Sequence, residues 1–392
     1  MNVAYILNST ILSGGATKSF IAMLRRLIPM GVSPLVIVPD RDGVYGVVRN
    51  MGVPILAMTF RMNCYSDCST MKGKALFLPR MGVKILANKI AERRLVPVLR
   101  QRGIELVHSN VGFVDIGFNA ARQLGLPHIY HLREYGIPDF GLRHFPSDAS
   151  FYQRLNAPHS YNICITSDIQ RHHRQFGKEE CSRVIYNGIQ PAVDEMPTDS
   201  RSGDFFLFAG RIQPAKSVDT LLEAYANYCS LTTQPLPLRL AGSLADSTYV
   251  KKLETFIAQH GMREHISFLG DCSNIGELMQ SARAIIIPSQ SEGFGRCMPE
   301  AMFQGCLAIG RNTAGTKEQF DNGLKITGEE IGLRYDTTHQ LAQLLQEVSL
   351  RPVNFYNDYR ERAFKVVNHL YSSEANAKQV YDFYREILCR TE

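Results

Sequence analysis

The chain alternates strand and helix, and it does so twice. Residues 3–7, 35–38, 104–107, 128–131 and 162–165 are short apolar runs rich in β-branched side chains, with periodic segments such as 17–28 and 114–124 between them. Continuous apolar runs of this length suit strands buried on both faces, and helices between such strands make parallel βαβ units. The alternation stops at residues 188–203, a polar stretch rich in Pro, Ser and Gly, as linkers are. It resumes with apolar runs at 205–209, 238–241, 266–269, 284–287 and 307–309. The expectation is an α/β chain of two Rossmann-like domains, 1–188 and 204–372, joined by a linker at 189–203. A length of 392 residues, too long for one ordinary core, agrees. A ligand is then expected in a cleft between the halves, where the carboxyl ends of the strands face. Residues 373–388 form one further helix candidate, bearing Tyr381 and Tyr384.

Composition excludes several other classes. Hydrophobic content of 45% with 20% charged residues is that of a globular protein. No apolar run reaches the roughly 18–20 residues that cross a bilayer. The opening Met1-Asn2-Val3-Ala4-Tyr5-Ile6-Leu7 lacks a basic segment and a cleavage site, so it reads as a strand and not a signal peptide. Nine cysteines are scattered, and the closest pair, Cys64 and Cys68, has no nearby histidine to complete a zinc set. Reduced thiols in the cytoplasm are the expectation. Charge is local: residues 61–102 carry ten Lys/Arg against Asp67 and Glu92, a balance of +8 that leaves −2 for the rest of the +6 chain. With Val83, Leu86, Ile90 and Leu95 interleaved, the segment suits an anionic membrane surface or a phosphate-bearing acceptor, or is a solvated helix face. Nucleic acid is not expected, since no recognition motif accompanies the charge.

Three loops carry chemistry. The strand 284–287 ends at Pro288 and leads into Ser291-Glu292-Gly293-Phe294-Gly295-Arg296-Cys297-Met298-Pro299-Glu300. Pro299 suits a first helical turn, and Gly305 suits the stop. Glu292 thus falls in a flexible loop and Glu300 at a helix N-terminus. Each has a structural explanation, as a solvated loop carboxylate and a dipole-favoured cap. Each can also accept hydrogen bonds from sugar and ribose hydroxyls. In the second loop, the strand 205–209 leads into Gly210-Arg211-Ile212-Gln213-Pro214-Ala215-Lys216-Ser217. Its two cations, solvated when taken alone, can bind a diphosphate and stabilise its leaving charge, and Ser217 can cap the next helix. Ser13-Gly14-Gly15-Ala16-Thr17, the third, joins the first strand to the first helix, where paired glycines allow close approach of an anion. It is not GxGxxG, and no acidic ribose ligand ends a second strand about 20 residues on, so a dinucleotide site is not expected. Asp40-Arg41-Asp42 is an Asp-x-Asp pair, but a polar turn explains the aspartates and metal binding is not expected there.

Taken together these segments resemble the retaining GT-B glycosyltransferases of family GT4, over essentially the whole chain. The family's Glu-x7-Glu pattern matches Glu292 and Glu300, and its Gly-Arg…Lys segment matches Gly210, Arg211 and Lys216. Its Gly-Gly loop matches Gly14 and Gly15, and the Asn-Gly before its linker matches Asn187 and Gly188. Its Gly-Gly-x-x-Glu segment is present as Ala314-Gly315-Thr316-Lys317-Glu318, with Ala in place of the first Gly. The resemblance implies that Arg211 and Lys216 hold the donor diphosphate, Glu300 the ribose and Glu292 the transferred sugar. It implies Gly15 near the donor phosphates, Gly293, Phe294 and Gly295 in the donor loop, and Gly270 near the base. His131 sits where the family often has a histidine near the reacting sugar, although as a lone residue it is also a core histidine. The final helix, 373–392, would return to the N-terminal domain.

The activity so implied is hexosyl transfer from a UDP- or GDP-sugar to an acceptor hydroxyl, with retention. The acceptor would be a glycan or lipid-linked molecule of bacterial cell-surface polysaccharide synthesis (capsule, O-antigen or exopolysaccharide). The protein would be cytoplasmic, peripheral at the inner membrane face. No metal or other cofactor is expected, because the two cations supply the neutralising charge. No residue is an evident nucleophile, so positioning and electrostatics should carry the reaction. Two alternatives share the architecture: a sugar-nucleotide 2-epimerase, and a silent subunit that only binds. The intact glutamates and cations argue against the second, and their linear arrangement against the first.

Overall fold

A computed structural model describes residues 1–66, 71–174, 181–197, 203–244 and 246–391, with side chains outside 71–74 and 391. Asp67, Cys68, the side chains of Lys72 and Lys74, and linker residues 198–202 lie outside the described residues. The chain divides into two compact units, Met1–Gly188 with Ser373–Glu392, and Ile189–Ser372.

The first unit begins β1 Asn2–Ile6, α1 Gly15–Leu27, β2 Ser33–Val38, α2 Val44–Asn50, β3 Ile55–Ala57 and β4 Cys64–Ser66. It continues with α3 Met71–Gln101, β5 Leu106–Ser109, α4 Ile116–Leu124 and β6 His128–Leu132. A short stretch follows of α5 Ile137–Phe140, β7 Leu142–His144 and α6 Asp148–Leu155. The unit's first pass closes with β8 Ser160–Cys164, α7 Ser167–Arg174 and β9 Ser182–Val184. Seven strands pair in parallel in the order β3-β2-β1-β5-β6-β8-β9, and β4 pairs antiparallel with β7. Successive residues of a strand face opposite sides. Val3 and Tyr5 of β1 accordingly enter one core layer, and Ala4 and Ile6 the other.

The second unit runs β10 Phe206–Ala209, α8 Val218–Ser230, β11 Leu238–Ala241, α9 Ser247–Gln259 and β12 Ile266–Gly270. It continues α10 Ile275–Ser281, β13 Ala284–Ile287, α11 Cys297–Phe303, β14 Ala308–Arg311 and α12 Ala314–Thr327. It ends with β15 Leu333–Tyr335, α13 Thr338–Leu350 and α14 Asn357–Leu370. Its six strands are parallel in the order β12-β11-β10-β13-β14-β15. The start of the expected linker is tied to this unit, since Ile189 N donates to Tyr371 O and Gln190 bridges to Ser372.

The last helix, α15 Ser373–Thr391, belongs to the first unit. Ala377, Val380, Phe383, Tyr384 and Ile387 recur at helical spacing and are buried in the core layer that holds Val3 and Tyr5. Each large side chain buried there stabilises the unit by about 1.5–3 kcal/mol before entropy is counted.

Four local expectations are corrected. Strand β5 begins at Leu106, not at 104, and β14 begins at Ala308. Ser217 does stand at the N-cap of α8, but its hydroxyl makes no capping bond. A capping side chain reaches the helix N–H groups from an extended backbone, and Ser217 is left-handed at φ 51°. Leu95 is no part of an exposed stripe on α3, because it is wholly buried with Ala91 and Leu99 in the second core layer.

Candidate active site

In the second unit the loops at the carboxyl ends of the strands interlock. Gly210 N donates to Ala241 O, Ile212 N to Ser243 O, and Gly242 N to Gly270 O. Gly242 is a requirement of this lacing. Its φ is +140°, and a Cβ there would stand 1.9 Å from the carbonyl oxygen of Gly210. Ile212 is fully buried and pins the loop, which then turns through a single 3₁₀ turn, Pro214–Lys216. Arg211 is exposed, with no ion pair among the described residues.

Lys216 reaches the loop that follows β13. Its Nζ lies 2.5 Å from Oε1 of Glu292, with both side chains largely buried. The two loops named from the sequence are therefore joined by a charge-assisted hydrogen bond, of the stronger kind. Glu292 continues into Gly293, the buried Phe294 and the left-handed Gly295. Phe294 packs edge-on against Tyr371 at 5.3 Å. Glu300 lies in the first turn of α11 and pairs with Arg296, whose Nε is 3.1 Å from its Oε1. Pro299 lies in that turn, and Gly305 follows the helix at φ +67°. Cys297 sits between these charges, and burial pushes its thiol up to about 12, so it is an inert packing group here.

Helix α12 holds this loop from behind. Gly315 N donates to Glu292 O at 2.9 Å. The buried Gln319 amide donates to the carbonyl of Phe294 and, at 3.4 Å, to that of Gly295. Neither Gln319 nor Gly242 was picked out by the sequence. Their contacts are to backbone, and a side chain that holds backbone leaves no motif.

The first unit carries the remaining expected residues, at the corresponding edge of its own sheet. Gly14 is the N-cap of α1 and Gly15 its first residue, with no side-chain cap and no acidic residue in the first turn. The helix's free N–H groups and positive end are thus unneutralised, as an anion site needs. His131, near the end of β6, is buried. Burial, with Arg133 beside it, drives its pKa well below the ordinary histidine range. Arg133, which the sequence reading passed over, donates to His131 Nδ1 at 3.2 Å, to Asn110 Oδ1 at 2.9 Å and to Asn187 Oδ1 at 2.5 Å. Asn110 in turn donates to Ala16 O at 3.4 Å, which ties the histidine's clamp to the first turn of α1. Asn187 of the Asn-Gly pair is thus a ligand of Arg133.

Asp40 and Asp42 are accounted for locally. Asp40 accepts from the Thr10 hydroxyl at 2.5 Å and from Asp42 N at 3.1 Å, as in a polar turn. Among the described residues no group of three or more His, Cys, Asp or Glu could hold a metal ion.

Comparison with known proteins places both units. A family model for Glycosyltransferase Family 4 matches residues 13–193, and one for Glycosyl transferases group 1 matches residues 198–366. An uncharacterized glycosyltransferase of Methanocaldococcus jannaschii is 26% identical over 258 residues, 65% of this chain and 69% of that protein. The N-acetyl-alpha-D-glucosaminyl L-malate synthase of Bacillus anthracis is 24% identical over 189 residues, 48% of this chain and 47% of that protein. The fold is that of Anabaena Alr3699/HepE, solved in complex with UDP, at a TM-score of 0.75 with 19% identity, covering 98% of this chain and 100% of that one.

Proposed function

Because the chain belongs to the GT4-type glycosyltransferases of the GT-B fold, we propose that it moves a hexose from a UDP- or GDP-sugar to an acceptor hydroxyl, with retention at the anomeric carbon. The observation that carries this reading is the contact between Lys216 and Glu292. It unites a phosphate-binding cation with a carboxylate fit to hold sugar hydroxyls, on two loops far apart in sequence. Structural neighbours were solved with UDP and with UDP-glucose, which supports a nucleotide-sugar donor.

In this reading Arg211 and Lys216 neutralise the diphosphate as it departs. Glu300 binds ribose, Glu292 the sugar, and Gly270 borders the base. Phe294, held by Tyr371, fixes the loop through Gly293 and Gly295, while Gly210 lets the backbone approach the phosphates. The resemblance assigns Gly14 and Gly15 to the donor phosphates and His131 to the transferred sugar. Charge builds on the leaving phosphate as the sugar becomes oxocarbenium-like, so fixed cations stabilise the transition state more than the ground state. The cations do this work without a metal. The acceptor is a glycan or lipid-linked intermediate of bacterial cell-surface polysaccharide synthesis, met on the cytoplasmic side of the membrane, where the exposed apolar and basic face of α3 rests.

The test is release of nucleoside diphosphate from a panel of UDP-, GDP- and ADP-sugars, with and without chelator. Lys216→Ala should cost at least about 100-fold in kcat, as loss of one preorganised charge does, with the fold intact by circular dichroism. Chelator should change the rate little. Full activity in the variant, or none in chelator, sinks the diphosphate assignment.

A further inference from the structure

Strands β5 and β6 lie side by side, and each delivers a buried histidine. His108 Nε2 is 3.1 Å from His131 Nδ1, and the Arg133 guanidinium lies 3.2 Å from that same Nδ1. A guanidinium only donates. His131 must therefore accept at Nδ1, and a neutral ring then carries its proton on Nε2. It follows that His108 donates from its own Nε2, which leaves its Nδ1 as an acceptor. The Tyr384 hydroxyl of α15 lies 2.5 Å from that atom and donates to it. This arrangement of protons serves Arg133, both histidines and Tyr384, with His131 Nδ1 shared between two donors.

One atom is left over. His131 Nε2 is buried and has no partner among the described residues. An unpaired buried donor costs about 1–3 kcal/mol. Such an atom calls for an explanation, and a binding role is one. His131 is near the carboxyl end of β6, the edge at which parallel sheets bind ligands. The unpaired Nδ1 of His128 is at the opposite end of the same strand.

We propose that Arg133, His108 and Tyr384 are positioning residues that hold His131 as a neutral imidazole protonated at Nε2, so that it donates a hydrogen bond to the transferred sugar and does not act as a base. The proposal rests on the reading that His131 faces that sugar. Burial, with Arg133 nearby, keeps both histidines far below their ordinary pKa, which maintains the neutral pair at working pH. The arrangement also gives the returning helix a chemical role, since Tyr384 sets the proton of a ring two side chains away.

Nitrogen NMR of the full-length protein with labelled histidine, at neutral pH, reads the protons directly. Both His108 and His131 should be protonated on Nε2 alone. A proton on Nδ1 of either ring, or a doubly protonated ring, overturns the proposal. In the transfer assay, an Arg133→Gln, Tyr384→Phe double variant should lose about tenfold in kcat, roughly the worth of one neutral hydrogen bond, with the donor KM little changed. Wild-type kcat in that variant while His131→Ala is impaired overturns the relay and leaves the site reading standing. Wild-type kcat in His131→Ala sinks the site reading and the proposal with it. Should the double variant fold poorly, Tyr384→Phe alone, which keeps the ring in the core, should lower kcat in the same way.

Discussion

Ala314 stands where the family's segment has a glycine, and its backbone is left-handed, at φ 46°. A β-carbon in that region costs roughly 1–2 kcal/mol. Ala314→Gly should therefore stabilise the second unit by about 1 kcal/mol net of glycine's extra unfolded-state entropy. A rise in its denaturant midpoint with unchanged slope would show this, and no rise would mean the strain is relieved elsewhere. The next residue behaves oppositely. A Cβ on Gly315 would stand 2.7 Å from Glu292 O and 3.0 Å from Gly293 O. Gly315→Ala should displace the donor loop and cut kcat/KM by tenfold or more, since small misplacements at a reacting centre can cost about 100-fold. A variant with wild-type kcat/KM would show that the loop gives way at no cost to the reaction. Legibility at this scale has a plain physical limit. Glu292 and Lys216 were named from motifs, but their contact spans 76 positions, and that of His108 with Tyr384 spans 276. Local spacing carries no trace of either. The departure at Ala314 was visible, and its left-handed backbone was not.

At the scale of elements, α3 buries one face in the core and presents another, apolar and basic, to solvent. Val83, Leu86 and Ile90 are exposed, the first two by more than 60%, beside exposed Lys89, Arg93 and Arg94. Apolar side chains and cations together suit an anionic membrane surface. Binding to vesicles with anionic lipid should fall with salt and with Val83→Glu/Leu86→Glu, at unchanged Tm. Vesicles that fail to bind at any salt would leave α3 a solvated face. The central strands were legible because each is a continuous apolar run buried on both faces. Three of the four outer strands were not. Strands β3, β9 and β15 are three residues each and partly exposed, so they lack the apolar run. The β4–β7 pair is antiparallel and joins segments about eighty positions apart, which no local pattern announces.

The whole molecule should respond unevenly to acid. The first unit buries His108, His128, His131, His144 and His173, all with pKa values below the ordinary range, chiefly through desolvation. Burial takes His173 down to about 4, His128 to about 3 and His144 to about 2. A depressed histidine contributes stability above its unfolded pKa of 6.5 and loses it as pH falls toward the folded value. Glu134 opposes this. Burial raises it from 4.5 to about 7, so its contribution grows as pH drops through that window. Asp115 and Asp139, also raised by burial, oppose the loss too, but the five histidines outnumber the three carboxyls, so the unit loses stability as pH falls below 6.5. Hydrogen exchange between pH 7 and 4.5 should therefore expose the first unit's amides before the second's, and the reverse order would remove the argument. The same unit has a peculiarity of manufacture. Its core includes Val380, Phe383, Tyr384 and Ile387, and a ribosome makes these only after residues 189–372. The first domain to emerge is thus the one that waits, with an apolar groove open against α1 and β1, until the second has been synthesised. A chaperone that shields that groove, or a stop codon before Ser373, would act on the oldest part of the nascent chain.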